Sequence, residues 1–238
     1  MQQEWQTGTI VKIIDETEST RRFFIACDSN LAFDFKPGQF VTLDLPIHEK
    51  KNKRWRSYSI ASAPDGSPVF ELVIVLVEDG LGTNFLFKEM KEGDQLTFRG
   101  PVGVFVLHEK IPEDLFLICT GTGIAPFRSM IHDIKNHNKE FGNIFLIFGT
   151  RTKMDLLYHD EMQSISNEME GFEYIPVLSR ETWNGRQGYV HAVYEELSAN
   201  KPAAEFMLCG WKNMIDEARQ KLQLLNYDKK QIHFELYG

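Results

Sequence analysis

Cysteine is scarce in this sequence, and its scarcity limits the chemistry that the chain can carry by itself. Only three cysteines occur in 238 residues, Cys27, Cys119 and Cys209, and each lies alone in an apolar segment. Zinc sites and iron–sulfur clusters need grouped cysteine or histidine ligands, which this spacing does not provide. We therefore expect reduced thiols, no metal site, and any iron–sulfur carrier to be a separate protein.

Long apolar runs and basic charge are also lacking. The longest aliphatic run, Leu72 to Val77, falls far short of the about 20 residues that a membrane span requires. The start, Met1-Gln2-Gln3-Glu4, has neither the basic nor the apolar part of a secretory signal, which favours the cytoplasm. The net charge of −8 argues against nonspecific nucleic-acid binding. We expect a cytoplasmic protein without membrane or nucleic-acid partners.

One basic run interrupts this acidic composition. Residues 48–56 read His-Glu-Lys-Lys-Asn-Lys-Arg-Trp-Arg. Charge runs are most often solvated loops. The alternative is a positive rim, centred on residues 50–56, that guides an acidic electron carrier to the protein. Both interpretations stay open on the sequence alone.

The first half of the chain has the pattern of a small β-barrel. Short apolar runs alternate with turn signals rich in glycine and proline, and one helix is predicted over residues 83–90. The pattern predicts six antiparallel strands in a domain spanning residues 1–108. The strands are expected at Thr9–Ile14, Arg22–Cys27, Phe40–Leu45, Arg56–Ala61, Phe70–Val77 and Gln95–Phe98.

After the polar stretch at residues 108–114, hydrophobic strands alternate with amphipathic helices. This alternation predicts a five-stranded parallel sheet with helices on both faces, in a domain spanning residues 109–238. The expected strands are Leu115–Cys119, Ile144–Phe148, Tyr174–Leu178, Phe206–Cys209 and Ile232–Leu236. The expected helices are Pro126–Asn136, Met154–Glu168, His191–Leu197 and Asn213–Leu225. Such sheets bind ligands at the carboxyl ends of their strands.

The segment Arg56-Ser57-Tyr58-Ser59 offers the groups that a flavin would need. The planar fork of Arg56 suits a phosphate, and Tyr58, two residues on, faces the same side of the strand and can lie against a flat ring. The hydroxyl or backbone of Ser59 can reach a ring nitrogen. We take all four residues as a candidate flavin site. An ordinary exposed strand is the alternative.

A second candidate for phosphate binding is the segment that follows the strand containing Ile74 and Val75. We also include Ile74 and Val75 among the cofactor-binding candidates. In Asp79-Gly80-Leu81-Gly82-Thr83-Asn84, two glycines free the backbone and a polar residue can cap the helix that begins there. With Arg56, Gly82 and Thr83 would hold a diphosphate, which favours FAD over FMN. A capped helix without a ligand fits almost as well.

The second half contains a glycine loop between a strand and a helix, Thr120-Gly121-Thr122-Gly123-Ile124-Ala125-Pro126. This context favours a loop that cradles a nucleotide phosphate. The third glycine of the usual dinucleotide pattern is replaced by Pro126, which suits a first helical turn. A tight turn without a ligand is the alternative. At the same predicted edge, Cys209-Gly210 ends another strand.

Arginines near other strand ends suggest how the nucleotide is chosen. Arg151, Arg180 and Arg186 can grip phosphates, including a 2′-phosphate, with Ser179 beside them. No acid stands at the end of the Tyr174–Leu178 strand to repel that phosphate, although Glu181 is close. These residues favour NADP over NAD.

These segments make the chain similar to the ferredoxin–NADP reductase family of flavoenzymes, and the likeness runs nearly end to end. Six elements in the right order carry it. They are Arg56–Ser59 as the flavin motif, Gly100–Phe105 as the junction segment, Gly121–Pro126 as the nucleotide motif, Phe148–Arg151 with Tyr158–Glu161, Cys209-Gly210 with Met214, and Phe234–Tyr237 at the C-terminal end.

The resemblance implies an N-terminal FAD barrel and a C-terminal NADP domain, with the chemistry at their interface. It implies that Arg56 holds the flavin phosphate, that Tyr58 packs on the isoalloxazine ring, and that Ser59 bonds near flavin N5. By the same resemblance, Gly82 and Thr83 would complete the phosphate site.

The late motifs imply a place where nicotinamide meets flavin. Cys209 and Glu235 would border it, and Tyr237 would shield the other face of the ring. In the plant-type pattern the aromatic residue is the last one, whereas here Gly238 follows Tyr237.

Together, the motifs predict an enzyme that passes a hydride from NAD(P)H to FAD and then single electrons, reversibly, to a separate ferredoxin or flavodoxin. A reductase that supplies an oxygenase or releases reduced flavin is the second hypothesis. A relay subunit that binds flavin and nucleotide without turnover is the third.

Overall fold

The computed structural model describes residues 4–29, 31–108, 111 and 114–237. These residues form two compact units: Met1–Val106 with Arg128–Asp133, and Leu107–Phe127 with Ile134–Gly238. The expected domain boundary falls at residue 109, which lies outside the described residues, as does Gly238. That boundary stays a prediction.

The first unit is the expected barrel of six antiparallel strands. The strands are β1 (Gln6–Thr17), β2 (Thr20–Cys27), β3 (Phe40–Asp44), β4 (Trp55–Ser59), β5 (Val69–Val75) and β6 (Gln95–Val102). They pair in the order β4-β3-β6-β1-β2-β5. An antiparallel bridge from Ile60, just after β4, to Leu72 on β5 brings the two outer strands together. Helix α1 (Leu81–Lys88) follows β5.

Strand β6 extends further than expected. The expected strand ends at Phe98, before Gly100 and Pro101. The strand instead runs on to Val102, which pairs with Phe40 of β3. A register shift between Phe40 and Thr42 marks an irregularity at this point of the ladder, and such irregularities tolerate a proline that cannot donate a hydrogen bond.

Phenylalanine rings fill the interior of the barrel. The ring of Phe70 lies 4.6 Å from that of Phe33 and 5.0 Å from that of Phe98. Phe70 and Phe98 are completely buried. Alternating side chains on β2 place Phe23 and Ile25 in the same core, which is the period of two expected of a strand with one buried face.

A buried acid joins two strands of the first unit to Arg128, which lies in the part of helix α2 (Ile124–Asn136) that belongs to the same unit. Glu71 on β5 is only 2% exposed. Its carboxylate accepts hydrogen bonds from Arg22 on β2 at 2.6 Å and from Arg128 on α2 at 3.1 Å. Arg128 also donates to the carbonyl oxygen of Ala61 at 2.8 Å. The two guanidinium groups compensate for burying the carboxylate.

The second unit is a parallel sheet of six strands. They are β7 (Asp114–Thr120), β8 (Asn143–Thr150), β9 (Phe172–Leu178), β10 (Arg186–Gln187), β11 (Ala204–Trp211) and β12 (Ile232–Tyr237), paired in the order β10-β9-β8-β7-β11-β12. The helices are α3 (His159–Glu168), α4 (Val190–Leu197) and α5 (Lys212–Leu224), together with the two ends of α2 on either side of Arg128–Asp133. Five strands are expected from the sequence. The sixth is β10, whose two residues are too few to show a period.

The expected helix over residues 154–168 is divided in two. A short 3₁₀ turn at Lys153–Asp155 is closed by reciprocal hydrogen bonds between Thr152 and Asp155. Leu156 is then extended, and Tyr158 adopts a left-handed conformation with φ 54° before α3 begins. Hydrogen bonds between a side chain and nearby backbone groups compete with helical hydrogen bonds. The bonds between Thr152 and Asp155 therefore explain why the helix does not run continuously from residue 154.

Helices α2 and α5 have 13 residues each. Among the described residues, no helix has the length and apolar character needed to cross a bilayer.

Replacing Glu71 by glutamine should lower the free energy of unfolding by about 3 kcal/mol, because it removes the buried charge that Arg22 and Arg128 face, although Arg22 keeps its pair with Glu16 at 3.3 Å. Urea denaturation followed by circular dichroism measures this loss. Asp15→Asn is the matched control, since Asp15 pairs with Arg21 at 2.7 Å but its side chain is 73% exposed, and such pairs contribute less than about 1 kcal/mol. Equal losses in the two variants would contradict a stabilising role for the buried network.

Candidate functional site

The carboxyl edge of the parallel sheet has a point where the order of the strands reverses. From β7 the chain continues to β8 and β9 on one side, and later to β11 and β12 on the other. Ligands of open α/β sheets bind at such a point. The loop after β7 and the end of β11 therefore form the first place to look for a nucleotide site.

The glycine loop packs directly against the end of β11. It forms a 3₁₀ turn, Gly121–Gly123, and leads into α2. A β-carbon on Gly123 would lie 2.3 Å from the carbonyl oxygen of Cys209, and one on Gly210 would lie 2.5 Å from the hydroxyl oxygen of Thr120. Only glycine fits at these two positions. Gly123 and Gly210, both cofactor-binding candidates, therefore also have a packing requirement.

The upper surface of this loop is suited to an anion. Gly121 has φ +54°, and a β-carbon there would meet no atom within 4 Å. The Thr120 hydroxyl is buried and has no hydrogen-bond partner among the described residues. The N–H of Ile124, at the start of α2, bonds back to the carbonyl oxygens of Gly121 and Thr122, and Pro126 has no N–H. The N–H groups nearest the open side therefore belong to the Gly121–Gly123 turn. A buried orphan donor, open space and the N–H groups of this turn together fit a nucleotide phosphate, with Thr122 on the same turn.

The ends of β8 and β9 bring a second group of candidates together. Ser179 donates to the carbonyl oxygen of Thr150 through its N–H at 3.0 Å and its hydroxyl at 3.1 Å. The N–H of Arg180 donates to the carbonyl oxygen of Arg151 at 2.9 Å. Arg151 and Arg180 thus occupy adjacent, exposed positions. The Glu181 carboxylate, in turn, accepts from the N–H of Lys153 at 2.7 Å.

Arg186 lies apart from these two arginines. Its guanidinium donates to both carboxylate oxygens of Glu196, at 2.7 and 2.8 Å. A phosphate would have to compete with Glu196 for this group. Arg186 also lines a cavity of about 540 Å³ beside β9 and β10, together with His159, Tyr174 and Trp183. The sequence did not indicate this cavity, because its lining comes from separate elements.

The late motif residues are brought together across neighbouring strands. Cys209 on β11 lies opposite Glu235 on β12 and opposite Cys119 on β7. Burial raises the pKa of the Cys209 thiol well above its usual value, and Glu235 and Cys119 act in the same direction. A hydrogen bond with Tyr237 lowers the pKa. The thiol is therefore neutral at physiological pH. The pairing of Cys209 with Cys119 gave no signal in the sequence.

In the first unit, Arg56 lies against the start of α1. A β-carbon on Gly82 would be 2.9 Å from Cγ of Arg56 and 3.2 Å from its Nε. The arginine therefore occupies the space that a side chain at position 82 would fill. Its Nη1 donates to the carbonyl oxygens of Lys53 and Trp55, at 3.1 and 2.8 Å. A guanidinium has five donors, so these bonds use only part of it. An arginine beside a helix start fits a diphosphate.

The side chains of Thr83 and Asn84, near the start of α1, hydrogen-bond to the backbone of the turn that precedes the helix. The Thr83 hydroxyl accepts from the N–H of Val77 at 3.1 Å and lies 3.2 Å from the carbonyl oxygen of Gly80. The Asn84 amide donates to three backbone carbonyls of the turn. Any contact of Thr83 with a phosphate would therefore use its backbone N–H.

The remaining flavin candidates differ in exposure. Ser57 is exposed, Tyr58 is half-buried and Ser59 is buried. The hydroxyl oxygens of Ser57 and Thr42 are 3.0 Å apart. Burial raises the pKa of Tyr58 to about 12, against the opposing charge of Arg56, so its ring carries a neutral phenol.

The two candidates on β5 differ in the same way. Ile74 belongs to the barrel core, with 2% exposure, whereas Val75 is half-buried. A ligand could therefore meet Ile74 only through its backbone.

Comparison with known proteins agrees with this division. The oxidoreductase FAD-binding domain matches residues 7–107, and the oxidoreductase NAD-binding domain matches residues 117–220. The chain is 35% identical over 215 residues to ferredoxin–NADP reductase B of Sorangium cellulosum, covering 87% of this chain and 86% of that protein.

A second relative is the glycine betaine monooxygenase reductase subunit of Pseudomonas aeruginosa. It is 31% identical over 245 residues, covering 99% of this chain. The chain spans 66% of the length of that subunit.

Among solved structures, a ferredoxin NADP⁺ reductase from Neisseria gonorrhoeae with bound FAD and NADP superimposes with a TM-score of 0.82. It is 26% identical, and 98% of each chain is covered. With both domain types matched in order and a relative aligned along most of its length, the chain belongs to the ferredoxin–NADP reductase family, whose members are oxidoreductases that use FAD and NAD(P)H.

Proposed function

We propose that this oxidoreductase passes a hydride from NADPH to FAD and delivers the electrons one at a time to a separate ferredoxin or flavodoxin. The observation that carries the proposal is the glycine loop at the reversal point of the sheet, where the buried Thr120 hydroxyl has no hydrogen-bond partner in the described part of the chain. That loop suits a nucleotide phosphate, and the similarity to a ferredoxin–NADP reductase over 86% of its length supports the acceptor.

Arg56 and the start of α1 hold the diphosphate of FAD in this proposal. The side chain of Arg56 lies against Gly82, so its charge and the first N–H groups of α1 act on the same anion. Tyr58 packs its neutral ring on the flavin, and Ser59 hydrogen-bonds near N5. Ser57, Ile74 and Val75 complete the site through exposed or backbone atoms.

The parallel sheet orders the nucleotide along its carboxyl edge. Arg180 with Ser179 and Arg151 binds the 2′-phosphate at the ends of β8 and β9, and Gly121 to Gly123 binds the diphosphate. The nicotinamide end then lies at Cys209 and Gly210. From β9 to β11 there are three strand spacings, roughly 14 Å in all, and the dinucleotide spans this distance.

The protein contributes position and environment to the reaction. When bound, FAD accepts a hydride from NAD(P)H and can release two electrons singly. The neutral Cys209 thiol presents a polarisable wall to the nicotinamide without reacting with it. Glu235 would orient the nicotinamide by hydrogen bonding, and Tyr237 would shield the flavin ring. Most of the acceleration comes from holding the reactants in line.

An oxygenase is the alternative destination for the electrons. The similarity to a monooxygenase reductase subunit over 99% of this chain favours it. A relay subunit that binds flavin without turnover is a third function and predicts no steady NAD(P)H oxidation by the isolated chain. The cytoplasmic location and the division at residue 109 stay predictions.

Stopped-flow reduction with NADPH, followed by mixing with ferredoxin, flavodoxin or free FMN, tests these functions. We expect fast reduction of the bound flavin and fast single-electron transfer to ferredoxin or flavodoxin. Faster transfer to free FMN than to either carrier would favour the oxygenase or flavin-reductase function. Protein that stays colourless when FAD is added would refute the proposal.

We place the docking site for the acidic carrier at residues 50–56. Lys50, Lys51 and Lys53 are exposed, whereas Arg54 is held by Asp44 at 2.7 Å. Lys51→Glu/Lys53→Glu should slow electron transfer to ferredoxin about tenfold at low salt, because attraction becomes repulsion. The difference should shrink as salt is raised.

The matched control for the docking site is Lys229→Glu/Lys230→Glu, which changes the net charge equally on another exposed 3₁₀ turn. Transfer to ferricyanide should be the same in both variants. If the control slows the reaction with ferredoxin as much as Lys51→Glu/Lys53→Glu does, the carrier docks elsewhere.

Arg56→Ala should weaken FAD binding roughly 10- to 100-fold while the fold is kept, since one charge-assisted phosphate contact is lost. Flavin retained after gel filtration, followed by titration with FAD, measures the change. Arg54→Ala is the control, because Arg54 lies in the same run but bonds to Asp44 and to the Leu45 carbonyl. Full flavin occupancy in Arg56→Ala would move the phosphate contact elsewhere.

Arg180→Ala should lower kcat/KM for NADPH about tenfold and leave the value for NADH unchanged, because only NADPH carries the 2′-phosphate. NADH serves as the internal control for the variant. A preference of the unaltered protein for NADH, or equal losses with both cofactors, would remove the role given to Arg180.

A further inference from the structure

Three metal-ligating side chains converge in the second unit at the end of the sheet opposite the nucleotide edge. They are His108, before β7, Glu205 near the start of β11, and His233 near the start of β12. Their nearest ligand atoms all lie within 4.8 Å of one another. No metal site is expected from the sequence, where these three residues lie far apart in the chain.

The register of the sheet places two of these side chains on one face. Met207 of β11 pairs with His233 of β12. Glu205 is two residues before Met207, so its side chain lies on the same face as that of His233. The ring of His108 lies 5.4 Å from that of His233, at 65°. Strand geometry therefore fixes two ligands, and the third comes from the preceding segment.

The distances in this cluster are too long for direct hydrogen bonds. Nε2 of His108 is 3.7 Å and Nε2 of His233 is 3.9 Å from Oε2 of Glu205, beyond ordinary hydrogen-bond lengths. Nε2 of His233 is buried and has no hydrogen-bond partner among the described residues. Ligand atoms at about 2.0–2.1 Å from one tetrahedral ion are about 3.4 Å apart. The two measured separations, 3.7 and 3.9 Å, exceed that spacing by about 0.3 and 0.5 Å, and the separation of the two imidazole nitrogens is at most 4.8 Å.

We propose that His108, Glu205 and His233 bind one divalent transition-metal ion, with Zn²⁺ as the best match. Two imidazole nitrogens and one carboxylate oxygen suit Zn²⁺, Co²⁺ or Ni²⁺, whereas Mg²⁺ and Ca²⁺ prefer sets of oxygen ligands. A water molecule would take the fourth position, because the side chain of His108 is 59% exposed.

The role of this ion is structural. It cross-links the segment before β7 to two strands of the sheet. Glu205 lies four residues before Cys209 on β11, which is roughly 13 Å along the strand. Zn²⁺ has no redox chemistry, so the ion takes no part in electron transfer.

Titration of the chelator-treated full-length protein with Zn²⁺ tests the site, with binding measured by calorimetry and by competition with a chromophoric chelator. We expect one equivalent per chain. Glu205→Gln, His233→Ala and the exposed His108→Ala should each weaken binding at least tenfold, because loss of even an indirect partner of a metal ligand costs that much. An excess of Mg²⁺ should not compete.

His137→Ala is the matched control, since His137 is exposed and outside the cluster, and should bind Zn²⁺ like the unaltered protein. Zn²⁺ should raise the midpoint of thermal unfolding in the unaltered protein but not in Glu205→Gln. Far-UV circular dichroism shows that each variant is folded.

Unchanged Zn²⁺ affinity in the three ligand variants, or no stoichiometric binding, would overturn the proposal. Reduction of ferricyanide by NADPH should not depend on Zn²⁺. The test of the metal site therefore stands or falls independently of the proposed function.

Discussion

The nucleotide half of this protein depends on two backbones meeting where no side chain fits. Gly123 allows the loop after β7 to contact the carbonyl of Cys209, and Gly210 allows β11 to pass the hydroxyl of Thr120. Gly123, after β7, makes room for the backbone of β11, and Gly210, on β11, makes room for the end of β7. Both glycines are therefore needed for the two segments to pack together. The contact sets the distance between the Gly121–Gly123 turn and the pair Cys209 and Glu235. Exchange of either glycine would therefore change both ends of the proposed nucleotide site.

Most of the architecture could be predicted from the sequence, because its signals are local. The period of two in the first half and the alternation of strands and helices in the second give element type and order. Predictions missed where tertiary contacts override local signals. Strand β6 continues through Gly100 and Pro101, and Asp155 divides a helix that periodicity alone makes continuous.

The motifs of the candidate site could be predicted from the sequence, but most of the residue pairs that the fold brings together could not. Arg56 and Gly82 were expected to converge, and the structure places them in contact. Three other features were not expected: the bidentate bond of Arg186 to Glu196, the opposition of Cys209 to Cys119, and the gathering of His108, Glu205 and His233. Each depends on which strands lie side by side, and strand order is not written in any local pattern.

Strand β10 has a consequence for how copies of this protein meet in solution. An open sheet edge offers unpaired backbone groups to any other strand, and long flat edges promote aggregation. Here the edge strand next to β9 is β10, which has only two residues. The Arg186 guanidinium on this strand is hydrogen-bonded to the carboxylate of Glu196 on α4. A neighbouring molecule would find a short, charged border in place of a template for sheet extension.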